Sequence, residues 1–195
     1  LVFYLQRSLF RKKQKEFRPY QLENPLWVLL GTSVSNRTGG KKADNSEKAK
    51  TERTDVAKVL AFLKRFLEDE KWAVKSIAQT LSGKSGFVDE DTKNDLFLEH
   101  LDLLKGEKPA ELYKDITRDV FHGAGGLEVW ELAKAEGELG FRVPAPAGKS
   151  RPYFGVINIG DVASFKKHIA EDKELRLETK TESFASSLFG EIQAA

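Results

Sequence analysis

The sequence contains neither cysteine nor methionine. Without cysteine, disulfides, thiolate metal sites and cysteine nucleophiles are excluded. Histidine is scarce as well: His100, His122 and His168 stand far apart, with no metal-ligand spacing among them. No metal site is therefore expected. No apolar run approaches the length of a membrane span. The apolar opening LVFYLQRSLF lacks both a basic leading region and a small-residue cleavage site, so it does not read as a signal peptide. These absences lead to the expectation of a soluble, cytoplasmic protein without a membrane partner. The missing methionine, together with a first residue Leu1, leads to a second expectation, that the chain is an internal piece of a longer protein.

What is present suits a packed domain. The chain has 195 residues, of which 40% are hydrophobic, 32% charged and 10% aromatic. That supports one domain, or one domain with a small insertion, and does not carry the signature of disorder. The formal net charge is only +2, but it is unevenly spread: residues 1–65 hold 15 Lys/Arg against 6 Asp/Glu, and the remainder holds 17 against 24. A basic first third suits a polyanion; equally, it suits a solvated surface with a basic loop.

Residues 1–16 read as the end of a helix carrying Arg11, Lys12, Lys13 and Lys15. The run LWVLL (26–30) that follows Pro25 fits a strand buried on both faces, as in a parallel sheet, with Thr32, Ser33 and Ser35 beyond its end. Residues 36–53, rich in Gly, Asn and Lys and including Lys41 and Lys42, form a polar loop. A helix is predicted from Thr54 or Asp55 through Leu67, on the spacing of Val56, Val59, Leu60, Leu63 and Phe66. Further helices are predicted over 72–81, over 92–104 with Asp91 as cap, and from Pro109 to Gly123. LEVWEL (127–132) and ELGFRV (138–143) alternate in period two and predict a β-hairpin with one wet face. YFGVINIGD (153–161) reads as a second buried strand whose Asp161 caps the next helix, and SFASSLFGEIQAA reads as a final amphipathic helix.

Catalytic motifs are not evident. Gly83-Lys84-Ser85 and Gly148-Lys149-Ser150 each lack the first glycine of a phosphate-binding loop, since Ala78 and Val143 stand there. Both read as turns. Asp89-Glu90-Asp91 follows only Phe87 and Val88, too short a strand for a magnesium-holding acidic box, and reads as a helix-capping turn. The GAGG at 123–126 reads as a helix end and turn. What remains is the pairing of small polar groups with strand ends, Gly31-Thr32-Ser33 and Gly160-Asp161. Such positions contact phosphate oxygens in open parallel sheets; they also serve in ordinary loops and helix caps.

FRPYQLENPLWVLLGTSVS, TDVAKVLAFLKRFL, ELYKDITRDVF, GGLEVWEL, GELGFRV, YFGVINIGD and SLFGEI occur in that order. Over most of residues 17–192 they resemble the DEAD/DEAH-box helicase family of type III restriction enzyme Res subunits, which are superfamily-2 DNA translocases. The resemblance implies an α/β chain: a partial RecA-like parallel sheet flanked by helices, with a helical and β-hairpin insertion. It divides the chain into a linker helix (1–16), the start of the second RecA-like lobe (17–67), the insertion (68–152) and the continuation of that lobe (153–195). It implies ATP and Mg2+ as cofactors of the parent but none in this chain. As partners it implies DNA, the remaining lobes of the parent and a modification or specificity subunit. No catalytic residue carries over, so the chain alone is expected to be inactive. The nucleic-acid-binding candidates are Thr32, Ser33, Lys41 and Lys42. The alternative reading is a stand-alone nucleic-acid-binding or protein-interaction module without enzymatic activity.

Overall fold

Leucine and phenylalanine recur along the first eleven helical residues and basic residues close them, giving helix α1 (Val2–Lys12). A short helix α2 (Gln14–Phe17) and a 3-10 turn at Arg18–Tyr20 continue it, Pro19 supplying the fixed φ such a first turn accepts. A computed structural model of the chain describes residues 1–21, 25–29, 55–133, 137–159, 161–173 and 175–183. The predicted loop 36–53 and the predicted final helix lie outside these. The chain divides chiefly into two compact units, Leu1–Val28 with Arg65–Gly125, and Leu29–Lys64 with Gly126–Ala194.

The first unit is helical. Helix α3 (Asp55–Glu68) matches the predicted helix, and the boundary between units falls inside it, after Lys64. Helix α4 (Glu70–Leu81) begins at Asp69, whose carboxylate accepts from the Trp72 N–H at 3.0 Å. Helix α5 (Pro109–Asp119) starts on the expected proline. Leu112, Tyr113 and Ile116 of α5 and Ala73 and Ile77 of α4 are buried. Phe66 meets Tyr113 and Phe121 at ring separations of 5.5 and 5.8 Å, a tilted aromatic cluster at the end of α3.

Two expectations fail in this unit. Residues 25–29 form no strand, and Leu26, Trp27, Val28 and Leu29 are each 55–62% exposed. Pro25 lacks a ladder donor, and among the described residues no strand pairs with this run; Trp27 leans on Phe3 of α1 at 5.9 Å instead. Nor does a continuous helix span 92–104. Asp89 gathers the N–H groups of Asp91 and Thr92 and the Thr92 hydroxyl, and Val88 bridges Asp95. That local bonding closes a turn in place of a helix start, and only Glu99–Leu104 winds, as a 3-10 helix.

The second unit holds a four-stranded open mixed sheet. Strands β1 (Glu128–Leu132) and β2 (Glu138–Arg142) form the predicted hairpin. Strand β3 (Gly155–Asn158) adds antiparallel to β2, and β4 (Thr179–Glu182) adds parallel to β1, giving the order β3-β2-β1-β4. The sheet is therefore mixed where a parallel one was expected. The physical reason is the short loop 143–154, which folds β3 straight back onto β2, while only the β3-to-β4 connection is long enough for a crossover. It also makes β3 an edge strand, half-buried instead of fully buried. Helix α6 (Val162–Glu171) fills that crossover, capped by Asp161 as predicted, with the Ser164 N–H 2.9 Å from its carboxylate. Val129, Leu139, Phe141, Phe165 and Ile169 are buried in this unit. Lys166 of α6 reaches Glu131 of β1 at 2.7 Å.

Candidate functional site

Thr32, Ser33, Lys41 and Lys42 lie outside the described residues. The basic run singled out from the sequence does not. Arg11, Lys12, Lys13 and Lys15 are all exposed on α1 and α2. Arg11 reaches Asp119 at 3.1 Å and Lys13 reaches Glu16 at 3.2 Å, whereas Lys12 and Lys15 enter no ion pair among the described residues. The run presents positive charge to solvent at the basic end of the chain. Both GKS sequences are turns, with Gly83 and Gly148 at positive φ and no helix opening directly after either.

A second cluster escaped the sequence reading. The hairpin register places Glu128 opposite Arg142 and Trp130 opposite Gly140, while β4 places Lys180 beside Trp130 and Glu182 beside Leu132. All seven therefore share one face of the sheet, because side chains alternate along each strand. Tyr153 lies over Gly140: a Cβ there would fall 2.6 Å from the tyrosine ring, so only glycine leaves the room. The Arg142 guanidinium carbon sits 3.8 Å from the Trp130 ring centre and 5.2 Å from that of Tyr153. Its Nη1 donates to Glu182 at 3.3 Å. Its Nε faces Glu128 at 3.6 Å, an ion pair too long to be a hydrogen bond, which leaves that buried N–H without one. Glu128 also accepts from the Trp130 indole at 3.0 Å and from Lys180, and Tyr153 donates to Glu182.

Three acids of this face, Glu128, Glu182 and the buried Glu138, stand against two bases, Arg142 and Lys180. Burial pushes the Tyr153 hydroxyl up, and its bond to Glu182 adds to that. For Glu128, burial alone would raise the carboxyl, but hydrogen bonds from Lys180 and Trp130 and the charges of Lys180 and Arg142 outweigh it, leaving the group below its usual range. Neither group exchanges a proton near neutrality, so the face is suited to holding strands or stacking a flat partner and not to acid–base catalysis. The available signal was the alternation of Glu128 with Trp130 and of Gly140 with Arg142; the missing one was the position of β4. Among the described residues no group of His, Asp and Glu is placed to hold a metal ion, and no helix is long and apolar enough to cross a membrane. Comparison with models of protein families, with curated proteins and with solved structures finds no match for this chain.

Proposed function

We propose that the chain is a non-catalytic part of an ATP-dependent DNA translocase of restriction-enzyme type, belonging to its second RecA-like lobe, and that it touches the DNA backbone. The observation that supports this is the exposed run Arg11–Lys15 at the end of the chain where positive charge is concentrated. Lysines and arginines on one surface displace counterions from a duplex without reading its sequence. The ordered family-like segments supply the rest of the reading.

The described residues do not fit ATP and magnesium. The Gly83 turn follows the end of α4 and leads into a bridged loop, and the Gly148 turn links two strands; neither aims helix-opening amides at a phosphate. On this reading nucleotide chemistry belongs to the parent, and the chain by itself is expected to turn over no ATP. The test is binding of a short fluorescent duplex to the chain at increasing salt. The proposal expects an affinity that is independent of sequence and falls linearly on a double-logarithmic plot. A duplex that stays unbound even at low salt overturns it.

A second reading has its own support. Phe87, Val88, Leu96 and Leu103 are 50–68% exposed in the first unit, within the stretch 68–152 that the resemblance reads as an insertion. On that reading the chain is an interaction module, and purified partner subunits of the parent would be retained by it without DNA.

A further inference from the structure

Arg7 is a half-buried arginine of the first unit whose guanidinium carbon lies 5.9 Å from the Phe3 ring centre. It lies four residues before Arg11, on the same face of α1. Arg11 has a partner: its Nη1 is 3.1 Å from Asp119 at the end of α5. Asp119 is shared, since Arg118 Nε approaches its other oxygen at 2.9 Å, and Arg118 also holds Asp115 at 2.6 Å. Two carboxylates are therefore consumed by two arginines. Arg7 forms no ion pair among the described residues, and its Nε is shielded from solvent with no hydrogen-bond partner. A guanidinium N–H in that condition lacks an acceptor that its surroundings do not supply.

His122 faces the same place. It lies just past α5, half-buried, with φ 60 in the left-handed region. Burial lowers its pKa, and the like charges of Arg7 and then Arg11 lower it further, opposed by Asp119. Arg7 in turn is lowered by burial and by Arg11, with Asp119 opposing. The surplus at this point is positive: Arg7, Arg11 and Arg118 stand against Asp115 and Asp119.

We propose that Arg7, Arg11 and His122 form a phosphate-binding site, and that the phosphate they hold is a phosphodiester of a nucleic-acid backbone. The planar fork of Arg7 would give its unused donors to phosphate oxygens. This rests on the DNA-contact reading above and names residues for it.

Two arms separate the site from that reading. Duplex binding to the full 195-residue chain is measured by anisotropy across a salt series for the unchanged protein, Arg7→Gln, Arg7→Lys and His122→Asn, with Lys75→Gln, exposed on α4 away from the basic run, as a control. Inorganic phosphate is titrated while the His122 ring resonances are followed by NMR. The site predicts that Arg7→Gln lowers the salt slope by about one and weakens unrelated duplexes alike, and that Arg7→Lys restores the slope. It also predicts that phosphate shifts the His122 resonances and raises the pKa of the ring. Asparagine at 122 tolerates the left-handed turn, so His122→Asn tests the ring and not the fold. If the duplex binds but Arg7→Gln and His122→Asn bind it as the unchanged chain does, the site is overturned and the DNA-contact reading stands. If phosphate moves His122 but no duplex binds at low salt, the phosphate site stands, and both its nucleic-acid ligand and the DNA-contact reading are overturned. If neither occurs, both fail.

Discussion

The Arg142 guanidinium lies 3.8 Å from the centre of the Trp130 ring, while Glu128 and Glu182 approach it from two different strands. One side chain thus neutralises two carboxylates and covers an aromatic face. Arg142→Ala removes all three contacts and leaves the acids facing each other. The expected loss is about 2–3 kcal/mol in urea unfolding, below the range for fully buried pairs because Glu182 keeps a third of its surface in water. Arg142→Lys should recover only part of it, since an ammonium cannot fork between two carboxylates and stack as well.

Gly140, two residues before Arg142 on the same strand, permits that arrangement. Gly140→Ala sets a methyl 2.6 Å from the Tyr153 ring and forces the ring off the sheet, so the bond to Glu182 is lost. A destabilisation of about 1–3 kcal/mol follows from the overpacking alone. Combining it with Tyr153→Ala should give much less than the sum of the two single effects, which a double-mutant cycle measures.

Acid should act through Glu128. Its folded pKa lies below the ordinary 4.5 of a glutamate, so it contributes stability that is fully present above that value and is lost as pH falls through the folded pKa. Lys180→Gln removes one cause of the shift. The variant should lose stability at neutral pH and approach the unchanged chain once pH has fallen through the folded pKa, where the carboxyl is protonated in both. Urea midpoints from neutral pH downward read the convergence.

His122 has the opposite chemistry and the same slope. Its folded pKa is lowered from 6.5, so the unfolded chain takes up protons first and stability falls as pH drops below that value. His122→Asn should flatten the stability profile between about pH 5 and pH 7. A profile unchanged by the substitution would contradict the shift.

Asp161→Ala tests the start of α6. Loss of the bond from the Ser164 N–H should cost about 1 kcal/mol, and Asp161→Asn should retain most of it. This cap was legible in the sequence, as were α3, α4, α5 and the β1–β2 hairpin, because each is encoded by residues a few positions apart. Apolar spacing on one helix face, a proline at the first turn and period-two alternation are all local signals. The failures share a different cause. LWVLL looks like a buried strand only if a neighbour exists to bury it, and among the described residues Trp27 finds Phe3 of α1 instead. The parallel sheet failed because pairing direction depends on how the chain returns, which no local pattern records. The Trp130–Arg142 face needed β4 beside β1, and Arg7 looked like one more surface arginine until Asp119 was seen to be already taken.

The parallel pairing of β1 with β4 also orders events in time. Val129 meets Thr179 only after β2, β3 and α6 have been made, whereas β1, β2 and β3 meet their neighbours across short connections. Closing the larger loop costs more chain entropy and comes later. During synthesis the three-stranded meander can form as it emerges from the ribosome, with Glu128 and Arg142 still lacking Lys180 and Glu182. A nascent chain arrested before Thr179 would display that half-made charged face, and release of the last strand would seal it.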